Sequence, residues 1–130
     1  MIRRFVSRLV PGAFAFVAFS VVAAPHVLSG AQGGLWQVAG GRRPPTQICV
    51  SDPLTLASYE HLGVNCRQHL VRGNTGYAVV GYECAGGAFG QSSILALTPR
   101  SLRIETQGIS RQQPYNYVVT ARRLGDCQRH

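Results

Sequence analysis

The stretch from Val64 to Gly86 constrains the fold of this chain most, because it places a cysteine on each side of a turn-forming tetrapeptide. The tetrapeptide is Gly73-Asn74-Thr75-Gly76, and its glycines and asparagine tolerate the positive φ angles that tight turns need. The stretch therefore predicts an antiparallel hairpin, in a register that opposes cysteines, aliphatic residues and opposite charges. The predicted pairs are Cys66 with Cys84, Gln68 with Tyr82, Leu70 with Val80, Arg72 with Ala78, Arg67 with Glu83, and Val71 with Val79.

Four cysteines in a chain of 130 residues indicate two disulfide bonds, because short exported domains use disulfides to support a thin core. The hairpin register sets Cys66 opposite Cys84, so we predict a bond between them, which leaves Cys49 to bond Cys127. The alternative pairing is Cys49 with Cys66 and Cys84 with Cys127. A zinc site is disfavoured, because no two cysteines have the close C-x₂₋₄-C spacing of common zinc sites.

The N-terminal segment has the plan of a secretory signal peptide. Its basic start contains Arg3, Arg4 and Arg8, and a nearly all-apolar run follows from Ala13 to Ala24. The run is shorter than the roughly 20 residues that a membrane-spanning helix needs, so we expect a cleaved leader and no membrane anchor after cleavage. These features predict a periplasmic or secreted protein.

Two bonds are candidates for cleavage. Ser29-Gly30-Ala31 provides small residues at the −3 and −1 positions, and a cut there removes Met1–Ala31. A cut after Ala24 would leave Pro25 as the first residue, which signal peptidases disfavour. We therefore expect a leader of residues 1–31 and a single exported β-rich domain of residues 32–130.

Alternating and β-branched segments predict the strands of this domain. Leu102–Gln107 alternates apolar and polar residues, which indicates a strand with one face in water. Gly108–Gln113 is predicted to be a polar loop. A two-residue turn at Pro99-Arg100 predicts two cross-strand pairs, Leu97 with Leu102 and Leu95 with Ile104. Besides the hairpin, the predicted strands are Gly34–Ala39, Thr46–Val50, Phe89–Leu97, Leu102–Gln107 and Pro114–Ala121.

A short helix is predicted after the second strand. Ser51 is the expected N-cap, and Pro53 is tolerated in a first helical turn. The buried stripe of this helix is predicted to contain Leu56, Tyr59 and Leu62, which recur at every third residue. The fold class predicted from these elements is mainly β, an antiparallel meander forming a curved sheet or a small open barrel, with one short helix and two disulfides.

Both ends of the predicted domain carry recognisable motifs. Gly34-Leu35-Trp36-Gln37-Val38 opens it, and Ala121-Arg122-Arg123-Leu124-Gly125-Asp126-Cys127 closes it. With Gln47-Ile48-Cys49 before a short helix, this arrangement resembles the bacterial domain-of-unknown-function 3617 family, small exported proteins. Gln37 stands where that family usually has glutamate, and Ile48-Cys49-Val50-Ser51 replaces a more common Cys-Leu-Thr. The resemblance implies an exported β-rich domain and brings no established reaction, ligand or catalytic residue.

Charge suggests the class of partner. Removing the leader leaves ten arginines against five acidic residues, without a lysine. A basic surface favours anionic partners such as envelope lipid, although scattered charge that only keeps the domain soluble explains the excess equally well. Nucleic acid is not expected as the partner of an exported protein. The candidate contacts to an anionic envelope lipid or protein partner are Arg100, Arg103, Arg122 and Arg123.

No catalytic, cofactor-binding or metal-ligating residue can be assigned from the sequence. General acid–base chemistry needs two titratable groups that converge in a cleft, whereas Glu60 and His61 are neighbours on a helix and are expected to point apart. His69 and Glu83 share one face of the hairpin, but Arg67 is the better partner for Glu83. We therefore predict a non-catalytic binding or envelope-interaction module without a cofactor. The alternative is a hydrolase-type enzyme whose site is assembled only in the folded chain.

Aromatic residues could serve either a binding face or the core. A ligand-binding sheet face and a core filled by rings predict the same composition. The residues concerned are Trp36, Tyr77, Tyr82, Phe89, Tyr115 and Tyr117.

The leader can be tested by mass. We expect intact-mass analysis of the protein purified from the cell envelope to show a chain that lacks Met1–Ala31, because that segment has the basic, apolar and small-residue order of a signal peptide. A mass that retains Met1 or Phe14 would contradict the expected processing.

Overall fold

A computed structural model describes residues 10–18 and 27–128 of the chain. The predicted basic start at Arg3, Arg4 and Arg8, the alternative cleavage bond after Ala24, and residues 129–130 lie outside the described residues. Residues 10–18 form neither helix nor strand and are exposed. All the secondary structure described below lies between residues 34 and 125.

Seven antiparallel strands form one open sheet, in the spatial order β2-β1-β7-β6-β5-β4-β3. The predicted fold class is confirmed, and the open sheet decides between the two architectures that the sequence allowed. The strands are β1 (Gly34–Gly40), β2 (Thr46–Val50), β3 (Cys66–Asn74), β4 (Tyr77–Cys84), β5 (Phe89–Thr98), β6 (Ser101–Ser110) and β7 (Gln113–Gly125).

One 3₁₀ helix, Pro53–His61, connects β2 to β3, which are the two opposite edges of the sheet. The helix therefore crosses one face of the sheet, here called the inner face, and packs on β4 and β5. The strands alternate accordingly. In β6, Leu102 and Ile104 are buried on the inner face, whereas Arg103 and Glu105 are exposed on the outer face. The core thus lies between the helix and the inner face.

The helix differs from the prediction in type and in its cap. The N-cap is Asp52, not Ser51, because the Asp52 carboxylate accepts a hydrogen bond from the Leu54 N–H at 3.0 Å. A three-residue repeat matches the 3.0 residues per turn of a 3₁₀ helix. Leu56 and Tyr59 are buried as predicted, and the next residue of the stripe, Leu62, is half-buried just beyond the helix.

The hairpin register is confirmed from the cysteine pair to Leu70 opposite Val80. A β-bulge at Val71 then shifts the pairing by one residue, so that Arg72 lies opposite Val79. The predicted pairs of Arg72 with Ala78 and of Val71 with Val79 are therefore wrong. The loop contains only two residues, Thr75 and Gly76, and the Asn74 side chain accepts a hydrogen bond from the Gly76 N–H. An extra residue on one strand is the usual geometry of such a bulge.

Two details of the second hairpin also differ from the predictions. A bulge near Leu97 places Ala96 opposite Leu102 and Ile94 opposite Ile104, so both predicted leucine pairs are wrong by one position, and Leu95 and Leu97 are exposed instead. In the observed register, Ile94 and Ala96 lie on the inner face, and the larger leucines do not. The β5–β6 turn at Pro99-Arg100 is where the sequence placed it.

The segment Gly108–Gln113 is not a loop. Strand β6 continues to Ser110 and β7 begins at Gln113, so the turn is reduced to Arg111 and Gln112. Both residues have positive φ, 51° and 64°, as the two central residues of a type I′ hairpin turn require. This turn could not be predicted from the sequence, because glycine and asparagine are the residues that normally mark it.

Both predicted disulfides are present, Cys66–Cys84 and Cys49–Cys127, and the alternative pairing is wrong. The first closes the hairpin at the start of β3 and the end of β4. The second joins β2 to the segment that follows β7. Each bond therefore fastens one edge strand of the open sheet.

Removing either disulfide should lower the free energy of unfolding, and removing Cys49–Cys127 should cost more. Its sequence separation is 78 residues, against 18 for Cys66–Cys84. The chain-entropy model converts these loops into about 4.5 and about 3 kcal/mol. Urea denaturation of Cys49→Ser/Cys127→Ser and Cys66→Ser/Cys84→Ser variants measures the two costs.

A chelator serves as the control for this prediction. Because all four cysteines are bonded to one another, dithiothreitol should lower the Tm and EDTA alone should leave it unchanged. A drop in Tm with EDTA alone would contradict a fold held by disulfides without a metal.

Candidate functional site

The four arginines expected to contact an anionic partner do not form one site. Arg123 is structural, since its Nε donates to the Gly33 carbonyl at 2.8 Å and its Nη2 pairs with Asp126 at 2.6 Å. Arg103 lies on the outer face, 3.6 Å from Glu105. Arg122 is also exposed on the outer face, whereas Arg100 lies in the β5–β6 turn. Of the four, Arg100 and Arg122 have no ion pair among the described residues.

Another group of arginines surrounds a cleft of about 590 Å³, which we call the arginine cleft. Arg42, Arg43 and Arg111 line it together with Glu60 and His61. Three arginines against one glutamate give this small region a formal charge of +2. The arginine cleft therefore concentrates positive charge that the composition alone would distribute over the whole surface.

The topology of the sheet explains why these residues meet. Strands β1, β4 and β6 all end at the same end of the sheet, where β3, β5 and β7 begin. The loop after β1 supplies Arg42 and Arg43, and the β6–β7 turn supplies Arg111. The helix finishes at this end and brings Glu60 and His61. Segments far apart in sequence thus converge because an antiparallel sheet gathers alternate connections at one end.

Glu60 fixes the positions of two of the arginines that line the cleft. Its carboxylate accepts hydrogen bonds from the Arg42 guanidinium and from the Tyr117 hydroxyl. The Glu60 backbone carbonyl accepts another from Arg43 Nη2 at 3.0 Å. The Glu60 side chain is only 8% exposed, whereas that of Arg42 is 49% exposed. A charged residue that is so buried needs a charged partner, and Arg42 remains accessible while it serves as that partner.

His61 lies beside Glu60 and is buried. Its Nε2 is 3.3 Å from the hydroxyl oxygen of Tyr115, and its ring packs edge-on against the rings of Tyr82 and Tyr115. Burial lowers the pKa of His61 below its ordinary value, and the charges of Arg43 and Arg42 lower it further. The imidazole is therefore neutral at pH 7. Contrary to the expectation that they point apart, Glu60 and His61 both line the arginine cleft.

A chain of buried hydroxyl groups continues from His61 into the core. Tyr115 hydrogen-bonds Tyr82, and Tyr82 hydrogen-bonds Thr106 at 2.8 Å. Ser92 donates either to Thr106 or to the Ala57 carbonyl of the helix. Among the described residues, no buried side-chain nitrogen or oxygen lacks a partner. This series of hydrogen bonds links His61, beside the arginine cleft, to the centre of the sheet.

Tyr115 also contacts the positive wall of the arginine cleft. The guanidinium carbon of Arg42 lies 5.2 Å from the centroid of the Tyr115 ring, a distance at which a cation and an aromatic face attract. Burial, the hydrogen bond to Tyr82 and nearby phenolic groups raise the pKa of Tyr115. Burial and the charge of Tyr82 raise the pKa of Tyr117 to about 12. Both phenols therefore remain protonated donors at neutral pH.

Other sequence candidates have structural roles. The ring of His69 lies over Gly81, where an added Cβ would be only 2.3 Å from His69 Nε2. Arg67 stands opposite Glu83 as predicted. Of the aromatic residues, Trp36, Tyr82 and Tyr115 are buried, which favours their role in filling the core. Within the described residues, no group of three or more His, Cys, Asp or Glu side chains is placed to hold a metal ion.

Comparison with known proteins identifies no relative of this chain. No protein-family model, curated protein or solved structure matches this chain. The resemblance to the domain-of-unknown-function 3617 family therefore stays a prediction. Within residues 10–18 and 27–128, no helix has the length and apolar character needed to cross a membrane.

The tyrosines of the arginine cleft predict how stability depends on alkaline pH. The folded pKa of Tyr117 is about 12, against 10.0 for a free tyrosine, so the folded chain keeps a proton that the unfolded chain releases between these values. Tyr117 should therefore contribute its full stabilisation below pH 10 and lose it progressively as the pH rises toward 12. Urea denaturation between pH 9 and pH 11.5 measures this loss.

The matched variant is Tyr117→Phe. It should make the alkaline loss of stability shallower and reduce the late part of the tyrosinate absorbance change at 295 nm. A wild-type chain whose tyrosines all ionise like free tyrosine would contradict the buried position of Tyr115 and Tyr117.

Proposed function

We propose that this protein is a non-catalytic binding module of the cell envelope, and that it binds a phosphate- or carboxylate-bearing envelope component in the arginine cleft. One observation carries the proposal: three arginines from two separate loops line one cleft that contains a single carboxylate. Arginine suits these ligands, because its planar guanidinium donates two parallel hydrogen bonds to phosphate or carboxylate oxygens.

The arginines differ in how free they are to bind. Arg42 is paired with Glu60, and Arg43 donates to the Glu60 carbonyl, so both guanidinium groups are already oriented. Arg111 has no hydrogen bond or ion pair among the contacts of the described residues. Orientation before binding reduces the entropy that a ligand must overcome. An anion can therefore add to Arg43 and Arg111 without separating Arg42 from Glu60.

The same contacts favour binding over catalysis. A general base must be free to take a proton, but the Glu60 carboxylate is occupied by Arg42 and Tyr117. The Nε2 atom of His61 faces a phenol whose pKa is raised, not a serine or cysteine nucleophile. The hydrolase-type alternative would require these groups to exchange partners when a substrate binds.

The proposed location is the periplasm or the medium. Two disulfides support an oxidising compartment, and the N-terminal basic and apolar segments support a leader. Export would place the arginine cleft among anionic lipids and glycans of the envelope. A protein partner with acidic groups offers the same chemistry.

Sulfate is a suitable first probe, since it stays a dianion between pH 5 and pH 8. In an NMR titration with chloride matching the ionic strength, we expect sulfate to shift the Nε–H signals of arginines in the cleft. Arg43→Gln and Arg111→Gln should each weaken the affinity by about tenfold to a hundredfold, because hydrogen bonds to charged groups contribute roughly 1.5–3 kcal/mol. Arg122→Gln makes the same charge change on the outer face and should leave the affinity unchanged.

Lowering the pH tests the position of His61 in the same titration. Burial and the charges of Arg43 and Arg42 hold the pKa of His61 below its ordinary range. A bound anion favours the imidazolium form, so sulfate affinity should rise as the pH falls toward that lowered pKa, and His61→Asn should abolish the rise. Equal weakening by Arg122→Gln and Arg111→Gln would contradict the assigned cleft and return the search to the exposed arginines, Arg100, Arg103 and Arg122.

Vesicles identify the source of the anionic group. Co-sedimentation with phosphatidylglycerol vesicles, lost at high salt and in Arg43→Gln/Arg111→Gln, would indicate a lipid headgroup. Sulfate binding without vesicle binding would indicate a soluble or protein-borne anion. Equal binding to neutral and anionic vesicles, with no sulfate binding, would refute the proposal.

A further inference from the structure

A short segment before β1, Val27–Ala31, is part of the folded core. Leu28 is 1% exposed and belongs to the same buried cluster as Trp36 and Leu56, and Val27 packs against that cluster. Ala31 is also buried. The segment lies at the end of the sheet opposite the arginine cleft, where β3, β5 and β7 finish. It closes that end of the core as the helix closes the inner face.

Three backbone hydrogen bonds fasten the segment and the residue after it to two hairpin turns. The Leu28 N–H donates to the Asn74 carbonyl at 2.7 Å, and the Gly30 N–H donates to the Thr75 carbonyl at 2.9 Å. The Gln32 N–H donates to the Pro99 carbonyl at 3.1 Å. These bonds satisfy carbonyl groups at the tips of the β3–β4 and β5–β6 hairpins, which are otherwise open to solvent.

One glycine on each side of the contact between the segment and the hairpin allows close approach. A Cβ on Gly73 would lie 2.5 Å from Val27 Cγ1 and 2.8 Å from the Tyr77 carbonyl oxygen. A Cβ on Gly30 would lie 3.0 Å from the Thr75 carbonyl oxygen. The segment and the hairpin therefore approach each other at distances that leave little or no room for a larger side chain at Gly73 or Gly30.

The backbone of Leu28 points to the same conclusion. Its φ is +61°, a left-handed conformation that is uncommon for leucine and persists only where the surroundings hold it. Burial of the Leu28 side chain and the bond from its N–H to Asn74 offset that strain.

We propose that Val27–Ala31 stays with the exported domain as a plug for the core, and that any leader is removed N-terminal to Val27. This revises the cleavage expected after Ala31, which would remove Leu28 and leave an apolar opening between the hairpin tips. Signal peptidase acts before the chain folds, so burial does not protect the Ala31–Gln32 bond. An earlier cut is favoured because the protein that it produces keeps Leu28 in its core. The inference is independent of the arginine cleft.

The first test determines the N-terminus of the full chain after expression and export. Edman sequencing or intact mass of the envelope-purified protein should give a first residue at Val27 or earlier. A folded protein that begins at Gln32 would overturn the proposal.

The second test measures the plug directly in the full chain. Leu28→Ala should lower the Tm by about 10 °C or more, as expected for a truncated core leucine in a small domain. Its matched control, Ser29→Ala, alters the exposed neighbour and should change the Tm by less than about 2 °C. Equal, small effects of the two variants would also overturn the proposal.

Hydrogen exchange on the wild-type protein covers the case in which Leu28→Ala does not fold. The amides of Leu28 and Gly30 should exchange as slowly as core strand amides, because both are bonded to the hairpin tip. Exchange at the rate of an open chain would show that the segment is not held, and would contradict the plug.

Discussion

The connection between β2 and β3 determines the rest of this structure, because these strands are the two opposite edges of one sheet. The connection is residues 51–65, and it must carry the chain from one edge of the sheet to the other. Nine of these residues, Pro53–His61, form a 3₁₀ helix, which covers more length per residue than an α-helix. Its buried residues, Leu56, Ala57 and Tyr59, supply the second layer that a half-apolar sheet requires. The outer face then has no covering layer, and it exposes charged residues such as Arg103 and Glu105 beside apolar ones such as Leu95.

An open sheet of this kind has four weak places, its two edges and its two ends. Each disulfide fastens one edge strand, Cys49–Cys127 on β2 and Cys66–Cys84 on β3. One end is closed by the segment that contains Leu28, whereas the other end remains open as the arginine cleft. The edges and one end are thus covered by bonds or apolar packing. The uncovered end is the one that carries concentrated charge, which fits a binding surface better than a defect in the core.

Local patterns in the sequence were sufficient to predict the strands and the helix, but not the exact pairing of residues between neighbouring strands. The cysteine hairpin could be predicted because Cys66 and Cys84, Leu70 and Val80 all agree on one alignment. Bulges at Val71 and near Leu97 could not, since a one-residue shift leaves equally plausible aliphatic pairs. The Arg111-Gln112 turn was missed because both residues adopt positive φ without glycine or asparagine. The arginine cleft was not predicted, because net charge does not distinguish Arg42 or Arg111 from Arg122. Only the topology shows that Arg42 and Arg111 lie together at one end of the sheet, whereas Arg122 lies on the outer face.

The hydroxyl chain behind the arginine cleft is difficult to explain by stability alone. Replacing both partners of a buried hydrogen bond by apolar groups of similar shape is often neutral or stabilising. Phenylalanine and valine at the positions of Tyr82 and Thr106 would build a simpler core. The chain instead runs from Ser92, under the helix, to Tyr115 and ends at His61, on the floor of the cleft. Its physical effect is to fix the orientation of one imidazole beside Arg42 and Arg43, which is the kind of preorganisation that the proposed anion site would use.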